Sequence, residues 1–168
     1  ATEASISAYA LVKGNNWDEA EISRRLADAG NSQLDRDLVF RVYTSQLIGR
    51  QPDLVMHGGG NTSCKSVTTD LHGNKIDVLC VKGSGWDLGT IEAPGLPAVR
   101  LDRLLELESL KALSDEEMVN VQRANLLDSA APNPSVETLL HAFLPHKFID
   151  HTHATPFLAL ANLPDAEA

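Results

Sequence analysis

Apolar positions along the chain alternate between a helical and an extended period. After Asn16-Trp17-Asp18, which reads as a helix start, Ala20, Ile22, Leu26 and Ala27 form a helical stripe closed by Gly30. Leu34 to Ile48 predicts a second helix, with Leu38, Val39, Val42, Leu47 and Ile48 apolar. Asp53 to Met56 predicts a short strand, broken by His57-Gly58-Gly59-Gly60-Asn61. Thr62 to Thr69 is rich in β-branched and small residues. The turn Leu71-His72-Gly73-Asn74 follows, then the strand Lys75 to Lys82, so these segments predict a β-hairpin. Gly83-Ser84-Gly85 interrupts again. Leucines at helical spacing mark Arg100 to Leu113, and Ser114 to Glu117 has the pattern of a capping box opening another helix. Asn133-Pro134-Ser135 predicts a helix start, with the helix running to about Leu144. Lys147 to His153 predicts a strand and Thr155 to Leu163 a last helix. Ala1 to Asn16 has no strong period and reads as an arm or short helix. Regular βαβ alternation is missing, and the hairpin implies antiparallel pairing. The fold class predicted is therefore α/β, a three-layer α/β/α sandwich with a mainly antiparallel sheet.

Length and composition narrow this picture little. The 168 residues suit one domain, and 43% hydrophobic with 22% charged residues is ordinary for a globular chain. Charge changes more. A formal net charge of −9 with no basic run argues against a nucleic-acid partner. No apolar run reaches the ~18 residues of a membrane span, so no membrane partner is expected. Two cysteines, Cys64 and Cys80, are too few for a disulfide framework and fit a reducing cytoplasm. They lie on facing strands of the hairpin and read as small buried apolar residues.

Candidate chemistry concentrates late in the chain. In His151-Thr152-His153, alternation along a strand projects both imidazoles from one face. Two imidazoles so placed suit a shared divalent metal, zinc above all. The same pair also fits hydrogen-bonded histidines in a core or on a surface. Glu137, at a helix start, fits either a catalytic carboxylate or a favourable dipole partner. His141, four residues on, shares its face and is placed to be an outer partner of such a site. The glycine-rich breaks at Gly58-Gly59-Gly60-Asn61 and Gly83-Ser84-Gly85 allow backbone N–H groups to approach a phosphate, or simply make tight turns. Ser135 could add a donor at a helix start, and His57 and Lys82 flank the two loops. Neither break matches a Walker or Rossmann fingerprint.

The order of these pieces carries more than any one of them. Gly60-Asn61-Thr62-Ser63, Lys82-Gly83-Ser84-Gly85, Pro134-Ser135-Val136-Glu137 with His141, and His151-Thr152-His153 together resemble the class II aldolase/adducin family, from about Leu34 to Leu163. Longer stretches, including Arg41-Val42-Tyr43-Thr44-Ser45 and Asn133 to Ala154, look closest to the aldolase half of rhamnulose-1-phosphate aldolase/short-chain alcohol dehydrogenase fusions. The resemblance implies an arm at 1–16 and an aldolase-type domain at 17–168, C-terminally incomplete before a third metal histidine. It implies substrate-phosphate contacts at Gly60, Asn61, Ser84, Gly85 and Ser135, catalysis by Glu137, and Zn²⁺ or another divalent metal on His151 and His153. Ser135-Val136-Glu137 departs from the family's common Ser-Ser-Glu by one hydroxyl. The implied activity is metal-dependent cleavage of a ketose 1-phosphate to dihydroxyacetone phosphate and an aldehyde, with Glu137 shuttling a proton from a burial-raised pKa. A sugar-phosphate epimerase or dehydratase and a non-catalytic adducin-like module are the alternatives. A homo-oligomer, commonly a tetramer in the family, is carried over by analogy.

Overall fold

The structure is a computed structural model, and it describes residues 16–163. Most of the arm expected at 1–16 lies outside them. Helix α1 spans Glu19–Ala27, its first amides capped by the Asp18 carboxylate. Helix α2 spans Gln33–Gly49 and opens with a Ser32–Asp35 capping box. Strands β1 (Asn61–Thr69) and β2 (Lys75–Val81) form the expected hairpin. The Asp70 carboxylate ties its turn, accepting from the backbone of His72 and Asn74. Then come β3 (Ala98–Arg100), α3 (Leu101–Leu105), α4 (Asp115–Ala124), α5 (Thr138–Phe143), β4 (Phe148–His151) and α6 (Thr155–Ala161).

The four strands lie in the order β3-β2-β1-β4, every neighbouring pair antiparallel. Strand alternation divides the core into two. Cys64, Ile76, Val78 and Cys80 face α2 and pack with Val55, Leu88 and Ile91. Leu79 and Val81 face the other way, against Leu104 of α3 and Ala142 of α5. Helices thus cover both faces, which gives the expected sandwich. Cys64 and Cys80 are cross-strand partners, both fully buried. The neighbouring Cys64 thiol and burial push the Cys80 thiol well above its usual pKa.

Four local expectations are corrected. Asp53 to Met56 is a turn rather than a strand, because the Leu54 and Val55 amides fold back onto the Gln51 carbonyl. The helix expected over Arg100 to Leu113 stops at Leu105 and tightens to a 3₁₀ turn over Glu106–Ser109. Leu104 is fully buried there whereas Leu105 and Leu110 are exposed, so the leucine spacing supplies no continuous core face. The helix expected from Asn133 begins at Thr138. Gly83 and Pro134 form a β-bridge, the Ser84 amide donates to the Asn133 carbonyl and the Ser135 amide to the Lys82 carbonyl. That extended pairing holds the segment out of a helix. Finally, β4 ends at His151, opposite Asn61, so His153 lies beyond the strand.

Candidate functional site

Strand β1 begins at the site, and its alternation sorts the side chains. Asn61 and Ser63 face α5, while Thr62 and Cys64 face α2. Thr62 shares a hydrogen bond with Ser45 of α2, 2.7 Å long. Asp150 and His151 divide in the same way on β4. Asp150 takes Nη2 of Arg41 at 2.7 Å on the α2 side, and His151 meets Glu137 on the other. Arg41 is almost wholly buried, and its Nη1 also donates to the carbonyls of Ser63 and Ile149. Those two residues are register partners, so one guanidinium clamps β1 to β4 just behind the site. Nothing in the spacing of α2 singled Arg41 out, although an arginine on a helix face that otherwise packs a core was the available signal.

Glu137 sits at the N-cap of α5, not within its first turn. Its Oε2 accepts from His151 Nδ1 at 2.8 Å and from Asn61 Nδ2. Burial pulls the Glu137 pKa upward, but the hydrogen bonds from Asn61 and His151 outweigh it, and the net shift is downward. The raised pKa expected from a dry cleft is therefore corrected: the carboxyl is about one-third exposed and held ionised by two donors.

Asn61 Nδ2 also lies 3.1 Å from Ser135 Oγ, and Asn61 Oδ1 meets His141 Nε2. Ser135 Oγ accepts the Glu137 amide at 3.2 Å as well. His141 is fully buried, its Nδ1 2.7 Å from Ser63 Oγ, and burial lowers its pKa to about 4. The rings of His151 and His153 stand edge to face with centroids 4.8 Å apart. His153 Nδ1 comes close to Gly59, 3.7 Å from where a Cβ would stand.

The glycine loops frame this cluster. Gly60 has φ +67°, and a Cβ on it would meet the His151 carbonyl oxygen and Val55 Cγ1, each at 2.7 Å. Only glycine lets the loop turn this close to β4. Ser84 and Gly85 are exposed beside Asn133 and Ser135, with Gly85 at φ +84° and open space around it. Two amides expected to serve a ligand are already engaged: Gly83 N–H donates to the Gly95 carbonyl and Ser84 N–H to that of Asn133. From Ser84 only the hydroxyl remains as a donor. Lys82 is nearly buried, which lowers its pKa against the opposing fields of Asp87 and Glu137. His57 is almost fully exposed and pairs with Asp87 at 3.0 Å. A cavity of about 590 Å³ between α1 and α2 shares no residue with this cluster.

Among the described residues no group of three or more His, Cys, Asp or Glu side chains is arranged to hold a metal ion. Two imidazoles are nevertheless brought together. Zn–N bonds of about 2 Å at a tetrahedral angle would put two ring centroids roughly 5 Å apart, and the pair stands at 4.8 Å. With His151 Nδ1 on a carboxylate, its Nε2 is the nitrogen left for a metal. The pair offers two nitrogen donors, one short of the three protein ligands a catalytic zinc normally takes.

A mainly antiparallel sheet between helices, with Glu137, two histidines and two glycine loops gathered at the start of β1, defines a class of protein. Residues 41–167 match the Class II Aldolase and Adducin N-terminal domain, and the chain belongs to that family. It is similar to the N-terminal class II aldolase domain of a conserved protein from Thermoplasma acidophilum, at 44% identity and TM-score 0.73, covering 82% of this chain and 65% of that one. It is also 43% identical over 129 residues to a Bacillus subtilis (strain 168) protein described as uncharacterized oxidoreductase YuxG. That match covers 77% of this chain but 19% of the relative, so the chain spans less than a fifth of its length.

Proposed function

We propose that this chain is the aldolase portion of a metal-dependent enzyme cleaving a ketose 1-phosphate of the rhamnulose or fuculose type to dihydroxyacetone phosphate and an aldehyde. One observation carries the reading: Glu137 is hydrogen-bonded to His151 at 2.8 Å while Ser135, two residues away, has its amide on the Lys82 carbonyl beside one glycine loop and its hydroxyl oxygen on Asn61 beside the other. A proton-transfer group, metal-type nitrogens and phosphate-type donors therefore share one end of the sheet.

Each residue has a task its contacts support. Ser135 Oγ accepts two N–H groups, so its own O–H is left to donate to a phosphate oxygen. The Ser84 hydroxyl and the loops at Gly60 and Gly85 would supply the remaining phosphate contacts in this reading. The Asn61 amide is turned inward to Glu137 and His141, so its contribution is to the carboxylate more than to the phosphate. His151 and His153 would hold a divalent cation, which when bound would supply Lewis acidity toward a carbonyl oxygen. Cleavage breaks C3–C4. The C4 hydroxyl gives its proton to the ionised Glu137 carboxylate as the aldehyde forms, the electron pair stays on C3, and Glu137 then passes that proton to C3. Glu137, ionised at rest, is the base for that carbon acid in the bond-forming direction; by microscopic reversibility it returns the proton during cleavage.

The oxidoreductase description of the much longer relative favours one addition: the aldolase portion is joined to an oxidoreductase part in a longer polypeptide.

The test is release of dihydroxyacetone phosphate from rhamnulose 1-phosphate and fuculose 1-phosphate, with zinc and after chelation. It is run on this chain and on a longer one that continues to the downstream histidine the resemblance implies. We expect metal-dependent cleavage in the longer chain and a loss of about 100-fold or more in kcat for Glu137→Gln, since general acid–base groups contribute on the order of 10²–10⁴. Full activity after both His151 and His153 are changed to alanine would overturn the reading.

A further inference from the structure

We propose that His141 is a positioning residue that acts through Asn61 to set the Glu137 carboxylate. It does not touch Glu137 side chain to side chain; the contact runs His141 Nε2 to Asn61 Oδ1, then Asn61 Nδ2 to Glu137 Oε2. His141 and Asn61 are both buried, so water does not substitute for the bond between them.

The hydrogen-bonding capacities allow one arrangement. Asn61 presents its amino group to Glu137, its Nδ2 donating to Oε2. Its carbonyl therefore faces His141, and His141 must donate from Nε2. In a neutral imidazole Nδ1 is then the acceptor, and the Ser63 hydroxyl, 2.7 Å away, donates to it. The other tautomer would set a lone pair against the Asn61 carbonyl. Relief by flipping the amide would set that carbonyl against Glu137. The ring's tautomer thus fixes the amide, and the amide fixes the carboxylate oxygen. Strand alternation is what makes this possible: Asn61 and Ser63 lie on the same face of β1 and receive the two ring nitrogens of one histidine.

Only the kinetic arm of the test rests on Glu137 being catalytic. Glutamine places an amide N–H near the Nε2 position, whereas asparagine reaches only the Nδ1 position. On the ¹⁵N-labelled 168-residue chain, the His141 ring is expected to show a proton on Nε2 and none on Nδ1. One Asn61 side-chain amide proton is expected to be shifted downfield and protected from exchange. His141→Gln should keep that Asn61 signature and His141→Asn should lose it. In the aldolase assay His141→Asn should lower kcat about 10- to 100-fold, the range seen for second-layer partners, with KM little changed, and His141→Gln should recover most of it. A proton on Nδ1, or asparagine and glutamine variants that behave alike, overturns the proposal; a ring that merely fills space predicts the latter. If the variants do not fold, the tautomer of the unaltered chain decides. If the Asn61 signature behaves as expected but no substrate is cleaved, the functional reading fails and this one stands.

Discussion

His141 shows how one side chain couples the site to the stability of the whole. Its folded pKa of about 4 lies below the ordinary 6.5 because burial disfavours the charged ring. Between pH 6.5 and 4 the unfolded chain therefore binds a proton that the folded chain does not, and stability falls as pH falls. Above pH 6.5 the residue contributes no pH dependence. The full gap corresponds to about 3–4 kcal/mol at most, since one pKa unit is about 1.4 kcal/mol. Urea unfolding at pH 7 and pH 5 should show the loss, and His141→Gln should flatten that part of the profile. An equal slope in the variant would assign it to other groups. Glu137 works in the same sense at lower pH: its lowered pKa adds stability above the ordinary carboxylate range, and that stability is lost as pH falls through the folded value.

At the scale of elements, helix α2 holds the two site-bearing strands together through Arg41. Its guanidinium meets two strand carbonyls and the Asp150 carboxylate while almost wholly buried. Arg41→Met removes these donors from carbonyls that the β1–β4 ladder also pairs and from the Asp150 carboxylate, which should cost about 2 kcal/mol, given roughly 1.5–3 kcal/mol for a hydrogen bond involving a charged group. Denaturant titration measures it; a cost below about 1 kcal/mol would show that β4 is held by its ladder alone. The same element shows what the sequence could reveal. The apolar stripe of α2 was legible because burial imposes a period, and so was the hairpin, whose turn is local. Asn133 to Ser135 was not, because its conformation is dictated by pairing with Lys82 to Ser84, about fifty residues away in sequence. For the same reason the residue types of the site were readable, but the inward turn of Asn61 and the ionised state of Glu137 were not. Both depend on which neighbour each polar atom meets.

For the whole molecule, β1 is the shared element, and its two sides differ in how far the chain travels to reach a partner. Cys64 pairs with Cys80 on one side and with Phe148 on the other. Loop closure over the longer interval carries a larger entropy cost, and non-local pairing is slow. A folding order follows. The hairpin should acquire amide protection first, and β4 should dock late, bringing His151 to a Glu137 already waiting at the head of α5. Pulsed hydrogen exchange during refolding reads this directly. Early protection of Ile149 together with Val78 would contradict it. The consequence reaches biosynthesis: a chain emerging from the ribosome can close its β1–β2 framework well before His151 is made. The chemical centre is then assembled after the hairpin, and a partly synthesised chain carries that scaffold without it.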